Sequence, residues 1–141
     1  MTDIHLNALG PLMNQLGQML ADVADGDPEG VFLYVEIAEG WVSASVFKDD
    51  GKTIRYLDTE EPDFSNLLFD IWYAAPRDKR WSVMEYDIKD GRFEVSFKYP
   101  DEVNVEVAFD GDRREDALRA RYGDRPVIYP PPPYGAFELK P

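Results

Sequence analysis

Apolar and polar positions divide the chain into periodic segments. Leu6, Leu9, Leu12, Met13, Leu16, Met19, Leu20 and Val23 recur at helical spacing, which predicts an amphipathic helix over residues 6–24. Pro11 falls inside that stripe, so either the regular helix begins there or it kinks. Residues 25–30 (Asp-Gly-Asp-Pro-Glu-Gly) break it. Residues 31–37 are β-branched and aromatic with Glu36 as their one charge, residues 41–47 alternate, and residues 53–57 form a shorter run. Tight turns at 38–40 and 48–52 join these three strands into a meander.

Phe64, Leu67, Leu68, Ile71 and Ala75 form a second helical stripe, widened by Phe69, Trp72 and Tyr73. Asp63 or a neighbour is placed to cap that helix. Residues 81–88 and 93–99 then flank an Asp90-Gly91 turn, a strong hairpin signal. Phe93, Val95, Phe97 and Tyr99 point one way, and Arg92, Glu94, Ser96 and Lys98 the other. That alternation predicts an antiparallel sheet covered on a single face. Val103, Val105, Val107 and Phe109 also alternate, as a sixth strand or an extended arm. Asp112 and Glu115 read as a capping box for a helix over residues 113–122, with Glu115 and Arg119 spaced for an i,i+4 pair. Gly123 and Pro126 close it. Pro130, Pro131, Pro132 and Pro133 dictate an extended tail. It is either an arm packing Val127, Ile128 and Tyr129 onto the domain or a ligand for an aromatic groove.

The expected fold is α+β: an antiparallel sheet of five to six strands, built as a three-strand meander, a helix and a hairpin. Two helices pack on one face, followed by a short C-terminal helix and a proline-rich tail. Residues 1–125 form one domain and residues 126–141 the arm.

Charge changes this picture most. The net charge of −13 disfavours direct binding of nucleic acid, which needs a basic surface, and of anionic membranes. It permits a basic protein partner, although solubility alone also accounts for it. Meander geometry adds a second point. The first strand starts, and the second ends, at the same edge, so Asp25, Asp27 and Glu29 should lie near Asp49 and Asp50 as an acidic rim. The rim reads as a landing site for a basic partner or as ordinary turn chemistry. Asp25, Asp27, Glu29, Gly30 and Glu36 also match the offsets of a calcium-binding loop. Pro28 and the strand that follows, in place of an exiting helix, argue against calcium.

Catalytic chemistry finds little support. His5 is the single histidine and cysteine is absent, which removes thiolate and multi-histidine metal sites and cysteine nucleophiles. No glycine-rich phosphate loop occurs, and with 28 acids in 141 residues some carboxylate pairs arise by chance. The expectation is a protein with no enzymatic activity, no cofactor and no metal. No apolar run approaches the roughly 20 residues of a membrane span, which together with the lack of cysteine suggests a cytoplasmic protein. The sequence leaves a homodimer open.

The order of these elements, with the run 31–37, the aromatic helix around residues 67–73, the hairpin 81–99 and the helix ending at Tyr122, resembles the YezG-like family of bacterial immunity proteins. The similarity spans roughly residues 5–125, and the tail from Gly123 lengthens the family's usual end. The resemblance implies a cytoplasmic partner that neutralises a toxin, in many cases a nuclease. It assigns no binding residue position by position. An adaptor or chaperone-like peptide-binding protein is the alternative.

Overall fold

The computed structural model describes residues 3–57, 62–102 and 111–129, and the side chains of residues 3–8, 62, 111 and 112 fall outside that description. Helix α1 (Asp3–Val23) leads into strands β1 (Val31–Ala38), β2 (Trp41–Asp49) and β3 (Ile54–Leu57). Helix α2 (Pro62–Ala74), a 3₁₀ turn (Arg77–Lys79) and strands β4 (Val83–Lys89) and β5 (Arg92–Lys98) follow, then helix α3 (Gly111–Tyr122) and β6 (Val127–Ile128). The fold is α+β as expected, with a six-stranded sheet in the order β5-β4-β1-β2-β3-β6. All pairings are antiparallel except β3–β6, so the sheet is mixed. The expected strand over residues 103–109 and the prolines of the tail lie outside the described residues.

Local signals explain most elements. Asp90 and Gly91 both take positive φ, 56° and 73°, as the two central residues of a hairpin turn matched to strand twist require. The β4–β5 register runs without a slip from Val83↔Lys98 to Lys89↔Arg92. Helix α1 continues through Pro11, which sits on the exposed side. The carbonyl four residues before a proline loses its helical donor, and on a wet face water can take its place. Gly17 has a different use. A β-carbon there would lie 3.0 Å from the Tyr86 hydroxyl. Without one, that hydroxyl reaches across the helix–sheet interface and donates to the Met13 carbonyl at 3.0 Å.

The sheet has two covered faces. On the first, α1 and α2 contribute Met13, Leu16, Leu20, Phe64, Leu68 and Ile71 against Leu33, Val35, Val46, Met84 and Tyr86, all buried. The second face, expected to be wet, carries Phe32, Tyr34, Phe47, Ile54 and Val83, and Leu118 of α3 is buried with them. Seven consecutive residues of β1, Val31 through Ile37, are therefore buried. The alternation expected throughout the sheet persists only in weakened form at the edge, where β5 leaves Phe93 at 39% exposure.

Replacing Leu118 by Ala should lower unfolding stability by about 3 kcal/mol, the usual cost of truncating a buried leucine. A urea midpoint shift of that size would place α3 within the cooperative unit. A loss under about 0.5 kcal/mol, typical of surface sites, would leave it a loosely attached flap.

Candidate functional site

Four connections meet at the end of the sheet where β1 starts: the α1–β1 loop, the β2–β3 turn, the β4–β5 turn and the segment between α3 and β6. Val31 is opposite Lys48 in the register. The Gly30 carbonyl accepts the Asp49 N–H at 3.1 Å, and the Gly30 N–H donates to the Ile88 carbonyl at 2.9 Å. The expected rim is thus assembled, with Asp25, Asp27 and Glu29 on one loop beside Asp49 and Asp50 on the next.

The rim is not a bare acidic patch. Lys48, almost fully buried at 7% exposure, donates to the carbonyls of Asp27 (2.7 Å) and Glu29, and its ammonium lies 3.2 Å from an Asp27 carboxyl oxygen. The two carbonyls take two of its three ammonium protons, and the carboxylate balances its charge. Asp49 is clasped by Arg125 through two parallel bonds of 2.9 Å, the fork geometry that favours arginine over lysine. Arg125 also donates to the Gly51 carbonyl, and the Gly51 N–H donates to Asp49 at 2.8 Å. Asp50 is bridged to Arg55 at 3.2 Å. Glu29 accepts the Asp90 N–H at 2.8 Å, which ties the β4–β5 turn to the α1–β1 loop. Of the five expected residues, Asp25 is exposed and has no cation partner among the described residues.

Two acids missed by the sequence reading, Asp87 and Asp90, join this end because β4 docks beside β1, with Phe32 opposite Asp87. A hairpin announces its own turn but not its neighbour. The partner cations were missed for the same reason, since Arg125 and Asp49 are 76 residues apart. Arg121 pairs with Asp87 and lies over the Phe32 ring at 4.1 Å.

The carboxyl groups divide by environment. The hydrogen bond and charge of Lys48 hold Asp27 below the usual aspartate range, and the Arg125 clasp does the same for Asp49. Asp87 goes the other way, because burial raises its pKa by more than Arg121 lowers it. The linkage follows from the signs. Asp27 and Asp49 contribute stability present above the unfolded-state value of about 3.9 and lost as pH falls through their depressed folded values. Asp87 opposes this by holding its proton more tightly when folded.

Further along the second face, Glu36 is buried at 4% exposure. It accepts from the Tyr34 hydroxyl at 3.0 Å and from Arg113 at 2.7 Å, and Arg114 reaches the Ser45 hydroxyl at 3.2 Å. The expected Glu115–Arg119 pair is replaced by Arg119–Asp116 at 3.5 Å. Burial, with the Glu36 charge adding to it, pushes the Tyr34 phenol above its ordinary value. Among the described residues no three His, Cys, Asp or Glu side chains converge as a metal site, and no helix is long and apolar enough to cross a membrane. A scan of the chain against protein-family models finds no match, and a search of curated proteins finds none.

Replacing Arg125 by Gln should move the Asp49 carboxyl titration, followed by carbon NMR, upward toward the ordinary aspartate value and leave Asp27 in place. An unmoved Asp49 would mean that the clasp does not persist in solution.

Proposed function

We propose that this chain is a non-catalytic protein-binding domain, an immunity protein of the YezG-like kind that neutralises a basic, nuclease-type toxin. The observation that carries this reading is where the charge lies. Residues 1–47 hold seven acids and no Lys or Arg, and residues 56–76 hold five acids and none. These two stretches, which supply α1, β1 and α2, account for twelve of the thirteen excess negative charges. Seven cations of the remaining chain, Lys48, Arg55, Arg113, Arg114, Arg119, Arg121 and Arg125, each bridge a carboxylate. The surplus falls to exposed acids such as Asp22, Asp25, Asp63 and Asp70, which have no cation partner among the described residues.

That distribution suits a basic partner. A nuclease must present a positive surface to hold phosphate, and a complementary surface speeds encounter and selects the partner. It also shifts emphasis within the rim. Asp27, Asp49 and Asp50 are occupied by their own lysine and arginines, so exchanging them would release cations as well as remove acids. Asp25 and the neighbouring Asp22 on α1 present charge that is free to steer a partner.

The test takes the protein encoded by the reading frame beside this chain's own as the candidate toxin and follows its association by stopped flow at two salt concentrations. Asp22, Asp25, Asp63 and Asp70 exchanged together for Asn should slow association about tenfold at low salt and flatten its salt dependence. An unchanged rate and slope would remove these acids from recognition. Failure of the wild-type chain to inhibit that toxin would remove the immunity reading itself.

A further inference from the structure

Arg80 stands apart from the other arginines. Among the described residues it is the one part-buried arginine without a carboxylate partner, whereas Arg55, Arg113, Arg114 and Arg125, similarly placed, each have one. Its guanidinium rests against two rings that meet edge-to-face, 4.9 Å from the Trp72 centroid and 4.8 Å from that of Tyr73. Its Nε is inaccessible and makes no hydrogen bond. Trp72 is fixed in turn, because its indole N–H donates to the Trp81 carbonyl at 2.8 Å, and Trp81 packs against Phe97 at 5.3 Å. The guanidinium is therefore positioned by its neighbours before any anion arrives.

Arg80 lines an open groove of about 1010 Å³ at the end of the sheet where β1 finishes, remote in register from the acidic rim. Trp72, Trp81 and Ile37 contribute apolar surface, and two half-exposed tyrosines line the groove, Tyr73 at 51% and Tyr99 at 38% exposure. Arg77 and Lys79 also line the groove, without carboxylate partners among the described residues, as do exposed Glu39, Asp78 and Asp101. These charges nearly balance, so they set no strong preference. The discriminating feature is a guanidinium braced by the edge-to-face Trp72–Tyr73 pair and not paired with a carboxylate among the described residues. A planar fork takes an oxyanion through two parallel bonds, and exposed aromatic rings take a planar apolar group through stacking and contact.

The geometry points to this groove as a binding site for a ligand that carries an oxyanion, carboxylate or phosphate, close to an aromatic ring. The oxyanion takes Arg80 and the ring takes the tyrosine-lined wall. The site is independent of the toxin-neutralising reading, since its ligand is an anion and that partner is basic.

The test is NMR titration of the full chain, following the Trp72 indole N–H and the Arg80 Nε–H. Four probes separate the contributions: phenylacetate, phenyl phosphate, acetate (charge without ring) and 2-phenylethanol (ring without charge). The expected result is a saturable shift of both signals by phenylacetate or phenyl phosphate, at least tenfold tighter than by either control. The tighter of the two arms then identifies carboxylate or phosphate as the ligand group. Arg80→Gln should abolish the shift of the Trp72 signal, and Arg80→Lys, which keeps the charge but not the fork, should weaken it at least tenfold. Equal binding of the controls, no saturable shift in the wild-type chain, or full binding by a folded Arg80→Lys variant would overturn the assignment.

Discussion

Strand β1 has no wet face, and the remaining elements are arranged around that constraint. A strand buried on both sides needs a layer on each, and the two layers are built differently. Helices α1 and α2 meet the first face as an apolar surface against an apolar surface. The second face carries a carboxylate, Glu36, in the middle of its apolar strand. A charge so placed is tolerated only with close partners, and Tyr34 and Arg113 provide them. Helix α3 is thus directed to the second face by chemistry as well as by Leu118.

The same division explains the distribution of charge. Helix α3 has little apolar surface of its own, so its docking relies on arginines that reach sheet carboxylates: Arg113 to Glu36 and Arg121 to Asp87. Arg125, just beyond the helix, extends the pattern to Asp49. These three arginines put positive charge on the side of the sheet where α3 is held. The helical layer on the other side needs none, and it has none from residue 56 to residue 76. The polarity of the surface therefore follows in part from how each layer is attached.

Much of this was readable from local pattern. The stripes of α1 and α2, the Asp90-Gly91 turn, the meander and the meeting of the loops around Asp27 and Asp49 all depend on residues near one another in the chain. What escaped depends on distant pairings. Nothing around Val83 says that β4 lies beside β1, so Asp87 and Asp90 could not be placed in the rim. The 76-residue span between Asp49 and Arg125 left the rim looking free when it is clasped. The second cover did leave a signal that was under-read. An unalternating run such as Val31 to Ile37 marks a strand buried on both faces, and the single charge within it, Glu36, marks where a cation must come from.

Strand β6 has a consequence beyond its two residues. It pairs with β3 in parallel, with Ile54 opposite Val127, and the Ile54 N–H donates to the Pro126 carbonyl at 2.9 Å. The β3 flank it occupies would otherwise offer free backbone groups to any passing chain, the usual route to edge-to-edge aggregation. The proline run that begins at Pro130 lacks N–H donors, so it makes a poor template for a further strand. The polypeptide thus closes its own sheet margin and then continues in a composition that resists extending it.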